Sequence, residues 1–286
     1  MSFSLEKIAR DPSLSWSDRA RAAKALLATH SAERLEARQT AVDYCSAPAA
    51  QDVGWGVGPI WQYWAQGEDA APDLVRACLR SVRRYAGSRK VVVLNDKSLS
   101  LYVTLPDHIF TKRGEIISPT HFSDVLRLEL LSKYGGTWMD ATVLLTAPIP
   151  RFVEHTKFFV FRRNRDPFIL SSWFIHAVRE HPLVESTKAA LLSYWAANDA
   201  LCDYFLLHHL FEANIALHGS LQKMWNEMPN LSACPPHALQ QKLLLPYSES
   251  EFHELITSSW IHKLTHKLEA KDSFSGTYLE AIVRQN

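Results

Sequence analysis

Ser123-Asp124-Val125-Leu126-Arg127 and, eight residues further on, Gly135-Gly136-Thr137-Trp138-Met139-Asp140-Ala141-Thr142-Val143-Leu144-Leu145 decide the fold. Residues 120–134 carry apolar side chains nearly all round at helical spacing, which predicts a buried helix that Gly135-Gly136 stops. Thr137 to Leu145 then alternates and predicts a strand. Met139, Ala141, Val143 and Leu145 share one face; Trp138, Asp140, Thr142 and Leu144 share the other. On a helical wheel, Ser123, Asp124 and Arg127 fall away from Glu129, Ser132 and Lys133, the expected solvent face. Two charges thus lie on the less solvated side of a helix, where they are costly unless paired or liganded. An Asp124–Arg127 salt bridge at i,i+3 is the purely structural solution. Asp140 and Thr142 project side by side near the middle of the strand, where an unpaired Asp is disfavoured. A carboxylate beside a hydroxyl can hold a hard divalent cation, completed by water and phosphate oxygens. The structural alternative is an Asp capping a bulge.

Working outward, Pro59 to Trp64 reads as a short apolar strand and residues 72–86 as an amphipathic helix with Pro72 in its first turn. Lys90 to Leu94 and Phe158 to Phe161 read as buried strands, and residues 182–217 as mostly helical. This strand–helix alternation predicts an α/β fold, with a parallel or mixed sheet and helices on both faces. Residues 12–45 read as helix and Ala47 to Gly58 as a linker, so a helical extension over residues 1–50 precedes one domain over 51–286.

The chain of 286 residues is 47% hydrophobic, enough to bury a core, and its 31 Lys+Arg against 30 Asp+Glu leave a net charge of +1. That balance excludes disorder as the dominant state and offers nothing to nucleic acid. No run approaches the ~18 apolar residues of a membrane span, and the first residues lack a signal-peptide core. The four cysteines show no close pair spacing, which argues against a zinc site and a disulfide framework. A cytoplasmic location is expected.

Ile60-Trp61, Trp64 and Gly67, then Gly135 to Thr142, then His262-Lys263-Leu264 together resemble the capsular polysaccharide synthesis proteins. These are DXD-type glycosyltransferases similar to glycosyltransferase family 32. The resemblance spans about residues 59–270. It implies a GT-A fold, meaning a Rossmann-like mixed sheet that binds a nucleoside diphosphate sugar with Mn²⁺ or Mg²⁺. It also implies transfer of the sugar to a glycan or lipid-linked glycan acceptor of capsule or O-antigen type, with retention of configuration. Such acceptors would bring the chain to the inner face of the membrane.

By the same resemblance, Trp64 stacks on the nucleobase, Asp124 contacts ribose or sugar hydroxyls, and Arg127 holds the donor. Asp140 is the first Asp of the DXD motif and Thr142 stands where the second would be. His262 would join Asp140 and Thr142 on the metal, and Lys263 would meet the diphosphate. Trp61 and Trp64 point to opposite sides of their strand, with Trp61 assigned to the core. Gln62 shares a face with Trp64 and could read the base or simply be a polar residue of the sheet edge. Asp203 opens an apolar helix, where it either faces sugar and acceptor or caps. Ser172, taken to lie at a strand end, is a candidate for the donor sugar. His208 and His209 read as core-edge histidines.

Arg76, Arg80, Arg83 and Arg84 form a basic helix face, either simply solvated or docking to anionic lipid. Arg162, Arg163 and Arg165 read as an exposed loop or an acceptor-phosphate site. A metal-dependent phosphatase or nuclease would need a second carboxylate that Asp140-Ala141-Thr142 lacks. The same gap motivates the alternative of a non-catalytic, nucleotide-sugar-binding scaffold of a polysaccharide assembly complex.

Overall fold

In the computed structural model, which describes residues 36–37, 39–45, 57–163, 169–268 and 274–285, Ser118 opens the central helix. Its hydroxyl accepts from the His121 amide, and Pro119 follows at the first helical position. Proline suits that place because its missing N–H would have had no intrahelical partner. The helix, α2 (Pro119–Tyr134), is buried along nearly its whole circumference and ends at Gly135, whose φ is 66°. An earlier helix, α1 (Asp73–Tyr85), buries Leu74, Val75, Cys78, Leu79 and Val82 and follows Pro72 at its N-cap.

Five strands form the main sheet in the order β2-β1-β3-β6-β5, comprising β1 (Ile60–Tyr63), β2 (Val91–Leu94), β3 (Gly136–Met139), β5 (Phe158–Arg162) and β6 (Leu170–Ala177). Strands β2, β1 and β3 run parallel, while β6 and β5 are each antiparallel to their neighbour. Trp61 points toward α2, where its ring lies 5.3 Å from that of Tyr134. On the opposite face, Trp64 and Val93 pack with Val75 and Leu79 of α1. Helices therefore cover both faces, which is why β1 and β3 are buried end to end. The expected mixed α/β sheet flanked by helices is the observed fold. Two further helices, α3 (Pro182–Ala197) and α4 (Leu206–Leu217), extend the layer on the α2 side.

Four local expectations need correction. Thr137 to Leu145 is not one strand. The Asp140 amide still donates to Trp173 O of β6 at 2.9 Å, but Val143 N then bonds back to Asp140 O at 2.9 Å. That turn directs the chain out of the sheet into β4 (Val143–Leu145), which pairs instead with β7 (Ile261–Lys263). Asp140 and Thr142 thus occupy a turn rather than a strand interior. Ser172 lies near the start of β6, not at a strand end. Ser132 is buried rather than solvated, because Lys188 of α3 donates to its hydroxyl. Asp203 does not open a helix: α4 begins at Leu206, and Asp203 lies in the turn before it.

Residues 36–37 and 39–44 are helical. The earlier part of the expected 12–45 helix, the linker up to residue 56, and Arg165 lie outside the described residues. Arg76 and Arg83 pair with Asp73 and Glu68, and Arg162 stacks on Trp225 and donates to its carbonyl at 2.7 Å. None of these three is a spare cation. No helix among the described residues is long and apolar enough to cross a membrane.

The start of β3 depends on a side chain being absent. At Gly136, with φ of 103°, an added Cβ would lie 2.2 Å from Pro59 O, against the strand that β3 pairs with. At Gly87, with φ of 61°, a Cβ would meet nothing within 4 Å. Gly136→Ala should therefore lower the unfolding free energy by roughly 3 kcal/mol or more, and Gly87→Ala by about 1 kcal/mol. Equal losses in urea denaturation would contradict this account of the β1–β3 seam.

Candidate functional site

The chain leaves β1 toward β2 on one side and later returns to β3 on the other. The strand order therefore reverses between β1 and β3, and in open α/β sheets the ligand crevice lies beyond the carboxyl ends of strands at such a point. Trp64 directly follows β1 and Asp140 directly follows β3. The β4–β7 ribbon adds a third contributor: Val143 pairs with Lys263, and Leu264 N donates to Thr142 O at 2.9 Å.

These elements converge on one carboxylate. Asp140 Oδ1 accepts from Trp138 Nε1 at 3.0 Å and faces Arg127 Nη2 at 3.4 Å. Asp140 Oδ2 lies 3.1 Å from Lys263 Nζ, which also donates to Thr142 Oγ1 at 2.5 Å. Arg127 is fixed from several directions: Nη1 reaches Asp124 Oδ1 at 3.1 Å and Ser172 O at 2.9 Å, and Nη2 reaches Ser123 Oγ at 2.9 Å. Its guanidinium also lies over the Trp138 ring, 5.1 Å from the centroid. The i,i+3 salt bridge expected within α2 is thus present as part of a larger network.

Burial works to raise the Asp140 pKa, but the Lys263 and Arg127 charges and the bonds from Trp138 and Lys263 hold it below the ordinary carboxylate range. Asp124 behaves oppositely: burial raises it and outweighs the attraction of Arg127 and His121.

The remaining candidates divide. Gln62 is fully buried, and neither atom of its amide has a hydrogen-bond partner among the described residues. Trp64 is half-buried, its Nε1 is likewise unpartnered among them, and its ring stands edge-on to His266 at 5.0 Å. Trp61 is in the core, donating to Gly135 O at 2.9 Å. Ser172 reaches the network through its carbonyl oxygen. The Asp203 carboxylate accepts from Phe205 N at 2.6 Å and lies 3.3 Å from His209 Nε2, a turn-capping arrangement.

His262 alternates with Lys263 along β7 and so points to the other side of the ribbon. There its Nε2 lies 3.3 Å from Thr146 Oγ1, and burial pushes its pKa down to about 4.

Two residues that sequence reasoning gave no role belong here, Trp138 as a donor to Asp140 and His266 against Trp64, and His208 is more than the core-edge histidine expected. Burial and then the charges of Arg127 and Arg163 lower His208 to about 3, with Asp140 pulling the other way, so it is a neutral imidazole in the field of the site. Trp138 was legible, because residues two apart on an extended chain share a face.

The donor set does not fit a divalent ion. Both Asp140 oxygens and the Thr142 hydroxyl are engaged by Arg127, Trp138 and Lys263, and His262 faces away. Among the described residues, no group of three His, Cys, Asp or Glu side chains could hold a metal. What the arrangement can do is offer the partly exposed Lys263 ammonium, backed by the buried Arg127 guanidinium and with a half-buried indole nearby, to an anionic ligand at the strand ends.

Arg127 offers a direct check. Arg127→Leu would leave the carboxylates of Asp124 and Asp140 without their shared cation, and breaking a buried pair costs about 3–5 kcal/mol. The Asp124 carboxyl, already raised, would rise further, and Asp140 would lose one of its two cations. A folded-state pKa above the unfolded value contributes stability at low pH that is lost as pH rises through the folded value. The deficit against wild type should therefore be largest at neutral pH and narrow as pH falls toward the carboxylate range. A deficit constant across that range in urea unfolding would contradict the network.

Comparison with known proteins extends the reading. The profile of the capsular polysaccharide synthesis protein family matches residues 24–282. O-glycosyltransferase PaGT of Phomopsis amygdali is 24% identical over 191 residues, which is 59% of this chain and 47% of that protein, so the chain spans about half the length of this curated relative. The solved PaToxG glycosyltransferase aligns with 81% of this chain and 84% of its own, at 11% identity and a TM-score of 0.42. The family profile covers most of the sequence, including both halves of the Asp140–Lys263 site. The chain belongs to the capsular polysaccharide synthesis protein family.

Proposed function

We propose that this chain is a glycosyltransferase that moves a sugar from a nucleoside diphosphate sugar to a surface-glycan acceptor. The observation that carries the reading is the convergence of Arg127 and Lys263 on Asp140 beyond the carboxyl ends of β1 and β3. Membership of the capsular polysaccharide synthesis family supports a glycan acceptor, and the similarity to O-glycosyltransferase PaGT favours the same chemistry.

In this reading the diphosphate lies against Lys263, with the Arg127 charge behind it, and the base lies against Trp64. When the sugar C1–O bond breaks, the electron pair stays on the leaving phosphate oxygen. Fixed cations stabilise that developing charge without reorganising. Asp140 holds both cations in place. The Lys263 and Arg127 charges and the bonds from Trp138 and Lys263 favour its ionised form. In a retaining reaction the acceptor hydroxyl gives its proton to the departing phosphate, and the acceptor oxygen forms the new bond to C1. This requires no separate protein base, consistent with Asp203 being occupied by its turn.

A panel of nucleoside diphosphate sugars, screened by thermal shift and then by donor hydrolysis without acceptor, tests the proposal. One donor should stabilise the protein and be slowly hydrolysed. Asp140→Ala should lower that rate by about 10²-fold or more, the scale of losing one fixed electrostatic element of a site. Trp64→Ala should weaken nucleotide binding by about one to two decades, since base stacking on an aromatic ring is worth roughly 1–3 kcal/mol. Donor binding with no turnover would favour the scaffold reading, and wild-type turnover in Asp140→Ala would overturn the site.

A further inference from the structure

We propose that the Lys263 ammonium group occupies the place of a divalent ion in the Asp140-Ala141-Thr142 turn, so that this chain binds the diphosphate of its donor without metal. The inference rests on the nucleotide-sugar reading above and concerns how that site meets its charge. The geometry is that of a cation seated between two oxygens, with Nζ 3.1 Å from Asp140 Oδ2 and 2.5 Å from Thr142 Oγ1. These are the two side chains the turn would offer to a hard ion. Asp140 Oδ1 is turned the other way, toward Trp138 and Arg127.

Backbone pairing sets the placement of the lysine. Val143 pairs with Lys263, and the next residue, Leu264, donates to Thr142 O at 2.9 Å. The backbones of the turn and of the lysine are therefore stitched together, which keeps the root of the side chain beside the turn, and the ammonium is held there by its bonds to Asp140 and Thr142. The same pairing points His262 away from the turn toward Thr146, which removes the nitrogen ligand that a softer divalent ion would favour. A divalent ion entering here would have to displace an ammonium from a short charge-assisted bond and sit between two like charges, Lys263 and Arg127. A diphosphate, by contrast, finds the partly exposed Lys263 ammonium already in place, with the buried Arg127 charge behind Asp140. Thr142 fits this role better than a second carboxylate would. Its hydroxyl orients the ammonium through a lone pair without cancelling the positive charge that the diphosphate needs.

The test is calorimetric titration of the full chain with uridine, guanosine, adenosine, thymidine and cytidine diphosphates, in EDTA and then with excess Mn²⁺. Electron paramagnetic resonance of Mn²⁺ mixed with the protein alone is the second readout. At least one diphosphate should bind, with Kd differing by less than about threefold between the two conditions. The Mn²⁺ signal should remain that of the free ion. In EDTA, Lys263→Met should weaken binding by about tenfold or more, and Lys263→Arg should recover most of the loss. Binding that strengthens about tenfold or more with Mn²⁺, or stoichiometric Mn²⁺ on the protein alone, would overturn the inference while leaving the nucleotide reading intact. Unchanged binding in Lys263→Met would overturn it too. No binding of any diphosphate under either condition would overturn both. The wild-type comparison stands by itself if Lys263→Met fails to fold.

Discussion

The Asp140 carboxylate, held between Arg127 and Lys263, is the interaction around which the rest of the structure is arranged. Arg127 comes from the central helix, Asp140 from the turn after β3, and Lys263 from a strand more than a hundred residues later. Charges so little exposed to water are costly unless each has a partner in good geometry. Here every one of them does. Arg127 also reaches Asp124, Ser123 and the Ser172 carbonyl, and Trp138 donates to Asp140. The apolar wall of the helix, which buries Val125, Leu126, Leu128, Leu130 and Leu131, sets its position against the sheet. The polar network decides how the sheet's carboxyl end is finished.

That end is shaped by backbone as much as by side chains. Gly135 and Gly136 carry positive φ, and a side chain at either would run into neighbouring backbone. They let β3 begin immediately after the helix and lie tightly beside β1. Three residues beyond Met139 the chain has turned out of the sheet and joined the β4–β7 ribbon. The same few residues therefore end a strand, place a carboxylate, and receive the C-terminal segment that carries Lys263. In the proposed reading, the Lys263 ammonium beside the Trp64 ring is where a nucleoside diphosphate is received.

Much of this was legible in the sequence. The helix over 120–134 and its glycine stop follow from periodicity and from glycine's freedom at positive φ. The mixed sheet follows from the alternation of elements. That Trp61 and Trp64 face opposite sides needed only the period of a strand; the choice of Trp61 as the core residue drew on the resemblance. What was not legible was long-range. Alternation runs unbroken from Thr137 to Leu145, so nothing local announces that the strand ends at Met139. The break is imposed by pairing with β7, which no nearby residue encodes. Resemblance placed Lys263 on the diphosphate, but its ion pair with Asp140 and the orientation of His262 away from the site depend on the register of that distant ribbon. The strand Leu170–Ala177 was missed because Ser171 and Ser172 interrupt its apolar pattern at the start, although Trp173, Phe174 and Ile175 are good strand formers.

A double-mutant cycle between Asp140 and Lys263 measures the central interaction most directly. The variants Asp140→Asn, Lys263→Met and their combination would be compared with wild type by urea unfolding at neutral pH. If the ammonium and carboxylate form the organising pair, the two substitutions should be strongly non-additive, with a coupling energy of at least about 1.5 kcal/mol, as for close charge pairs shielded from water. Additivity to within about 0.5 kcal/mol, the behaviour of independent sites, would contradict the account.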